Sequence, residues 1–136
     1  MMKIMRRLGM AAGAALVALA FVLPTGPAMA SGTSCVNRSP YYTCDYVNGS
    51  GLHVNYVQGN LHNTSGGTIT QVHLAISGPR GVIKNCPQTN ISGNATIYCT
   101  WSPNANEPSG NYCTTTWKYA NGTYHNQGTA CVDVHS

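Results

Sequence analysis

Residues 70–76 read Thr-Gln-Val-His-Leu-Ala-Ile. Thr70, Val72, Leu74 and Ile76 fall on one face of an extended chain, with Gln71, His73 and Ala75 on the other. A period of two, with branched aliphatics on one side, predicts a half-buried strand. The same alternation recurs downstream. Ala95, Ile97, Cys99 and Trp101 make a second inward row, with Thr96, Tyr98 and Thr100 outside. Cys113, Thr115, Trp117 and Tyr119 make a third, with Tyr112, Thr114, Thr116 and Lys118 outside. Upstream, Leu52, Val54 and Tyr56 start one face while Val57 and Leu61 finish on the other, which places a bulge near Gln58-Gly59. Turn formers separate these runs at Asn63–Gly67, Gly78–Gly81, Ser92-Gly93 and Asn121-Gly122. About seven short antiparallel strands with no helical periodicity predict an all-β sandwich.

The ends of the chain sharpen this picture. Residues 1–30 read as a secretory signal peptide to be cleaved. Lys3, Arg6 and Arg7 supply the positive start, Ala11–Leu23 the apolar run, and Ala28-Met29-Ala30 the small-x-small cleavage site. A run of 13 residues, broken only by Gly13, is too short for a span, which needs about 20. The reading is therefore secreted and extracellular, with no membrane insertion. Residues 31–46 are expected to form an N-terminal arm and 47–136 the sandwich domain. The full chain carries a formal charge of +4. Without the leader only Arg38, Arg80, Lys84 and Lys118 oppose Asp45, Glu107 and Asp133, leaving +1. No basic patch remains, so nucleic acid is excluded as a partner.

A chain of this kind is short of core. Residues 31–136 hold three Leu, five Ile and eight Val, with no Phe or Met. That falls below the roughly 20% that usually supports packing, but low charge argues against disorder. Six cysteines in an exported chain of this size predict a disulfide framework. Three pairings are expected. Cys35 and Cys44 flank Ser39-Pro40. A Ser92-Gly93 hairpin brings Cys86 opposite Cys99. The Asn121-Gly122 hairpin brings Cys113 opposite Cys131 if one residue bulges, most naturally near Gly128.

Chemistry is thin. Three scattered acids offer no catalytic pair, and the five histidines, at 53, 62, 73, 125 and 135, show no metal-binding spacing. With every cysteine paired there is no thiolate nucleophile. Neither an enzyme nor a metal nor any other cofactor is expected. Tyrosines are the better clue, because Tyr is a rigid contact residue common at interfaces and sugar-stacking surfaces. Tyr41, Tyr42, Tyr98, Tyr112 and Tyr124 are expected outside the core, with Glu107 of the polar loop 102–110 beside them as a binding-surface candidate.

Residues 54–81 (VNYVQGNLHNTSGGTITQVHLAISGPRG) resemble the strand–turn–strand core of small secreted actinobacterial-type immunoglobulin-like sandwiches. The likeness covers about a quarter of the exported chain and implies a disulfide-stapled immunoglobulin-like fold of about seven strands. Actinobacterial cellulose-binding modules show a similar Asn-Thr-x-Gly turn but carry planar surface tryptophans, whereas Trp101 and Trp117 are both expected inward here. In size, export and class the chain is also similar to the adaptor subunits of umbrella toxin particles. Three functions follow. The first is a non-enzymatic module binding an extracellular protein, as adaptor in a secreted complex such as a toxin particle, through a strand edge or the segment 31–42. The second is carbohydrate or cell-wall polysaccharide binding. The third is a small inhibitor or toxin acting through the loop 102–110.

Overall fold

The computed structural model describes residues 30–136, so the expected leader, apart from its last residue, lies outside the described residues. That last residue, Ala30, is buried in the core. The strands are β1 (Gly32–Arg38), β2 (Tyr41–Ser50), β3 (His53–Asn63), β4 (Ile69–Gly78), β5 (Gly81–Asn85), β6 (Thr89–Ile91), β7 (Thr96–Trp101), β8 (Ala105–Asn106), β9 (Gly110–Ala120) and β10 (Thr123–Val134). They form two antiparallel sheets. The first runs β1-β2-β3-β7 with β8 also on β3, and the second β10-β9-β4-β5 with β6 also on β4. The all-β, disulfide-stapled sandwich stands, with ten strands rather than seven. Two of the ten are the short pairings β6 and β8.

Residues 31–46, set apart as an arm by the sequence, are instead β1 and the first half of β2. Cys35 pairs directly with Cys44 in that hairpin. The inward face of β1 closes one side of the sandwich, where a methyl on Gly32 would come within 2.8 Å of Val132.

β4 follows its alternation from Val72 onward, but Thr70, expected inward, is exposed and Ile69 is buried instead, because the strand bulges between Ile69 and Val72 with Gln71 at a φ of 54°. Val72, Leu74 and Ile76 are buried with Val47, Val54, Val57 and Leu61 of the facing sheet, and His73 faces out. The bulge in β3 falls opposite Asn48/Gly49 rather than at Gln58-Gly59. The unpaired residue is Asn55, which lets Val54 and Val57 both point inward.

The two faces of β9 are reversed. Tyr112, Thr114 and Thr116 are buried, while Trp117 and Tyr119 lie on the outer face with Cys113. Hydrophobicity alone places tryptophan inside, but the facing strand offers polar partners. The Thr43 and Thr116 hydroxyls bond at 2.7 Å, and Thr114 donates to Asp45 Oδ1 at 2.6 Å. Threonine packs like valine there and satisfies a hydroxyl across the sandwich.

Gly59 sits in this polar seam. A Cβ on it would lie 2.3 Å from Thr114 Cγ2 and 2.4 Å from its Oγ1, so the sheets would have to part. Gly59→Ala is expected to cost about 1–3 kcal/mol or more. A urea midpoint equal to that of the unchanged protein would show that the seam yields.

All three expected cystine pairs form. Cys113 meets Cys131 because the β9–β10 hairpin turns at Asn121-Gly122 and bulges between Asn126 and Gly128. The 86–99 pair has a different geometry from the one the sequence suggests. β6 pairs in the second sheet and β7 in the first, so Ser92-Gly93 crosses between sheets and turns no hairpin. Cys86 donates its backbone N–H to Leu74 O beside β4, and Cys99 lies opposite Gly59 on β3. This cystine is a bolt through the core joining the two sheets. Among the described residues no helix is long and apolar enough to cross a membrane.

Candidate functional site

The tyrosines singled out from sequence do not gather. Tyr42 and Tyr98 are exposed on the outer face of the first sheet, where their strand partners are His62 and Asn60. Tyr41 packs against the core, and burial raises its phenol above the ordinary value. Tyr112 is only 1% exposed, which corrects its placement outside, and it shares no patch with Tyr98. Its ring stacks on Trp101 with centroids 6.2 Å apart, and its hydroxyl donates to Pro108 O at 2.9 Å. Trp101 is partly buried at the end of β7, in keeping with its expected inward direction.

Glu107 is likewise a strut. Its side chain is 13% exposed and meets the Arg80 guanidinium at 3.5 Å, lining a 170 Å³ cleft with Trp101 and Tyr112. The backbone N–H groups of Asn104 and Glu107 donate to Asn55 O and Leu52 O, and β8 pairs with β3. The loop 102–110 is thus tied along its length against β3 and does not project.

The place where side chains do converge is the outer face of the second sheet. His73 and Ala75 of β4, Val82 and Asn85 of β5, Trp117 of β9 and Tyr124 of β10, with Cys86 and Gln88 after β5, line an open groove of about 520 Å³. Cross-strand pairing explains the convergence. His73 lies opposite Trp117, Ala75 opposite Asn85, and Ser77 opposite Val82, so β5, β4 and β9 contribute adjacent outward positions. Ala75 is the low point, since its small side chain leaves space between the rings on one side and Val82, 65% exposed, on the other. The Tyr124 ring meets His73 edge-on, with centroids 4.8 Å apart, and Tyr119 at 5.0 Å. Its hydroxyl donates to Gln88 Oε1 at 2.8 Å, which fixes the far wall.

The electrostatics are those of a neutral surface. Burial lowers the affinity of His73 for a proton, so the imidazole is uncharged at neutral pH. The two nearby ammonium groups are engaged elsewhere, Lys84 with Thr100 O at 2.6 Å and Lys118 with Thr70. Among the described residues no three His, Cys, Asp or Glu side chains gather to hold a metal ion. His53 and His62 belong to the first sheet and His73 to the second. One carboxyl is buried away from the groove. Asp45 is fully buried, Thr114 serves only its Oδ1, Oδ2 has no partner, and burial pushes the carboxyl up to about 7.

Sequence reasoning found Tyr124 but missed Trp117, His73, Asn85 and Gln88 as members of one surface. The signal was present in His73 and Ala75, read correctly as outward. No family model, no curated protein and no solved structure matches the chain.

Proposed function

We propose that the chain is a secreted, non-enzymatic recognition module of immunoglobulin-like type, and that the groove between β5 and β10 is its binding surface. The observation that carries this reading is the convergence of His73, Trp117 and Tyr124 with Asn85 and Gln88 in one uncharged concavity. Pockets of ordinary ligands are concave, largely apolar and provided with a few placed polar groups. Among the described residues no carboxylate joins His73 in the groove as a catalytic partner, and Glu107 is held by Arg80 at another cleft. Export is supported by the leader-like first thirty residues together with three cystines in a small domain. The reading keeps the interaction module expected from sequence and moves its contact surface from a strand edge to a sheet face.

The test compares the protein with Trp117→Ala. Each is incubated with concentrated native culture fluid and with whole cell envelopes, and then recovered through a tag or by sedimentation. Retention of the unchanged protein on one of these fractions is expected, falling about tenfold or more in the variant. Equal retention of both would remove the groove from the binding surface.

A further inference from the structure

We infer that the groove on the second sheet binds a neutral carbohydrate chain. The inference rests on the groove being the binding surface and adds the chemistry of what enters it.

The lining dictates the class. A sugar ring carries one apolar face of C–H groups and a rim of hydroxyls that donate and accept. The face needs an aromatic ring to lie on, and Trp117 and Tyr124 supply two. The rim needs uncharged groups with both donors and acceptors to spare. Among the described residues, the Trp117 indole N–H, the His73 ring nitrogens and the Asn85 amide take no hydrogen-bond partner, and Gln88 uses only its oxygen. These supply an indole donor, an imidazole with one donor and one acceptor, a full carboxamide and an amide donor. They surround an apolar floor at Ala75.

Charge decides against the alternatives. Among the described residues no cation lines the groove, and Lys84 and Lys118 are bound to backbone oxygens outside it. A phosphate, a uronate or a sulfated glycan would enter without a counter-charge. Nor, among the described residues, does an anion line it, so a cationic ligand gains nothing. The volume of about 520 Å³ lies within the range of roughly 300–1,000 Å³ common for small-ligand sites. The groove is open at the surface, which suits a polymer passing through better than a molecule enclosed on all sides. The rings also come already ordered. Tyr124 is held by Gln88, His73 and Tyr119, so little side-chain freedom is lost when a ligand lies against it.

Affinity electrophoresis in native gels is the test. The gels contain neutral polysaccharides of different linkage (a β-1,4-glucan, a β-1,3-glucan, xylan, galactomannan and an α-glucan) beside polygalacturonate as the charged comparator. Retardation is expected in at least one neutral gel and absent in polygalacturonate. It is expected to persist when salt rises from about 0.05 to about 0.5 M, because no charge pair is there to be screened. Trp117→Ala and Tyr124→Ala are each expected to weaken it about tenfold or more. Tyr98→Ala, on the far sheet, is expected to leave it unchanged, and Asn85→Ala, which removes no packing from the core, separates lost contacts from lost folding.

Retardation in the charged gel alone would overturn the inference, as would neutral-gel retardation unaffected by Trp117→Ala and Tyr124→Ala. If no neutral polymer retards the protein while Trp117→Ala still abolishes capture from culture fluid, the carbohydrate falls and the groove as a binding surface stands. If Trp117→Ala changes neither assay, both fall.

Discussion

Unfolded by urea, the protein is expected to be less stable at pH 8 than at pH 5 by about 2 kcal/mol. The cause is Asp45, buried between the sheets with its carboxyl pushed up to about 7 and only Thr114 to meet it. In the unfolded chain the same group ionises near its ordinary value of 3.8. Between those two values the folded state holds a proton that the unfolded state has released, so stability falls as pH rises. Each pH unit is worth about 1.36 kcal/mol, and about two units separate pH 5 from the raised value. Above that value both states are ionised and the loss stops growing. His73 acts in the opposite sense. Its lowered proton affinity favours the neutral folded state, so its contribution is full at high pH and is lost as pH falls. Asp45→Asn keeps His73 and the Thr114 bond and removes the titration. Its stability is expected to hold level or rise slightly from pH 5 to pH 8. An unchanged protein as stable at pH 8 as at pH 5 would mean that the carboxylate finds a partner on ionising.

The second large effect is structural. Replacing both Cys86 and Cys99 by Ala is expected to cost about 4 kcal/mol and to lower the melting temperature by roughly 15–30 °C. About 3 kcal/mol of this follows from opening a loop that spans 13 residues of sequence. The remainder comes from Cys99, which is 1% exposed, so its sulfur leaves a hole against Leu74 and Gly59. The corresponding change at Cys35 and Cys44 opens a hairpin that β1–β2 pairing already closes, and Cys35 is exposed. It is expected to cost clearly less. Since Cys86 lines the groove two residues before Gln88, the 86–99 variant is also expected to bind more weakly while still folded. Equal melting temperatures for the two double variants would contradict the bolt through the core.

What was legible in the sequence was what local chemistry over-determines. Asn121 and Gly122 both take positive φ, at 54° and 80°, so the turn fixes the hairpin register and a single bulge brings Cys113 to Cys131. The strand at 70–76 was legible because only one of its faces carries large aliphatics. β9 was not, because its core face is built of Thr114 and Thr116 while its tryptophan is spent on the outer surface. The pair Cys86–Cys99 was legible and its geometry was not. Equal spacing on either side of Ser92-Gly93 cannot tell two strands paired side by side from two strands facing each other across a core. The groove was hidden for a related reason. Its members come from β4, β5, β9, β10 and the stretch after β5, and only sheet order brings them together.

The polar seam also governs how the two sheets are aligned. Faces lined only with valine and isoleucine can slide past one another by a pair of residues and still bury similar area. Here Thr43 must find Thr116, and Asp45 must find Thr114, while Gly59 leaves the notch into which Thr114 fits. A slip in either direction drives Thr114 into a side chain and strands several buried polar groups, each at a cost of about 1–3 kcal/mol. The seam works as a key in a keyway. It adds little to the strength of the sandwich, and it admits one alignment of the sheets, the one that brings Cys99 of the first sheet to Cys86 beside the second.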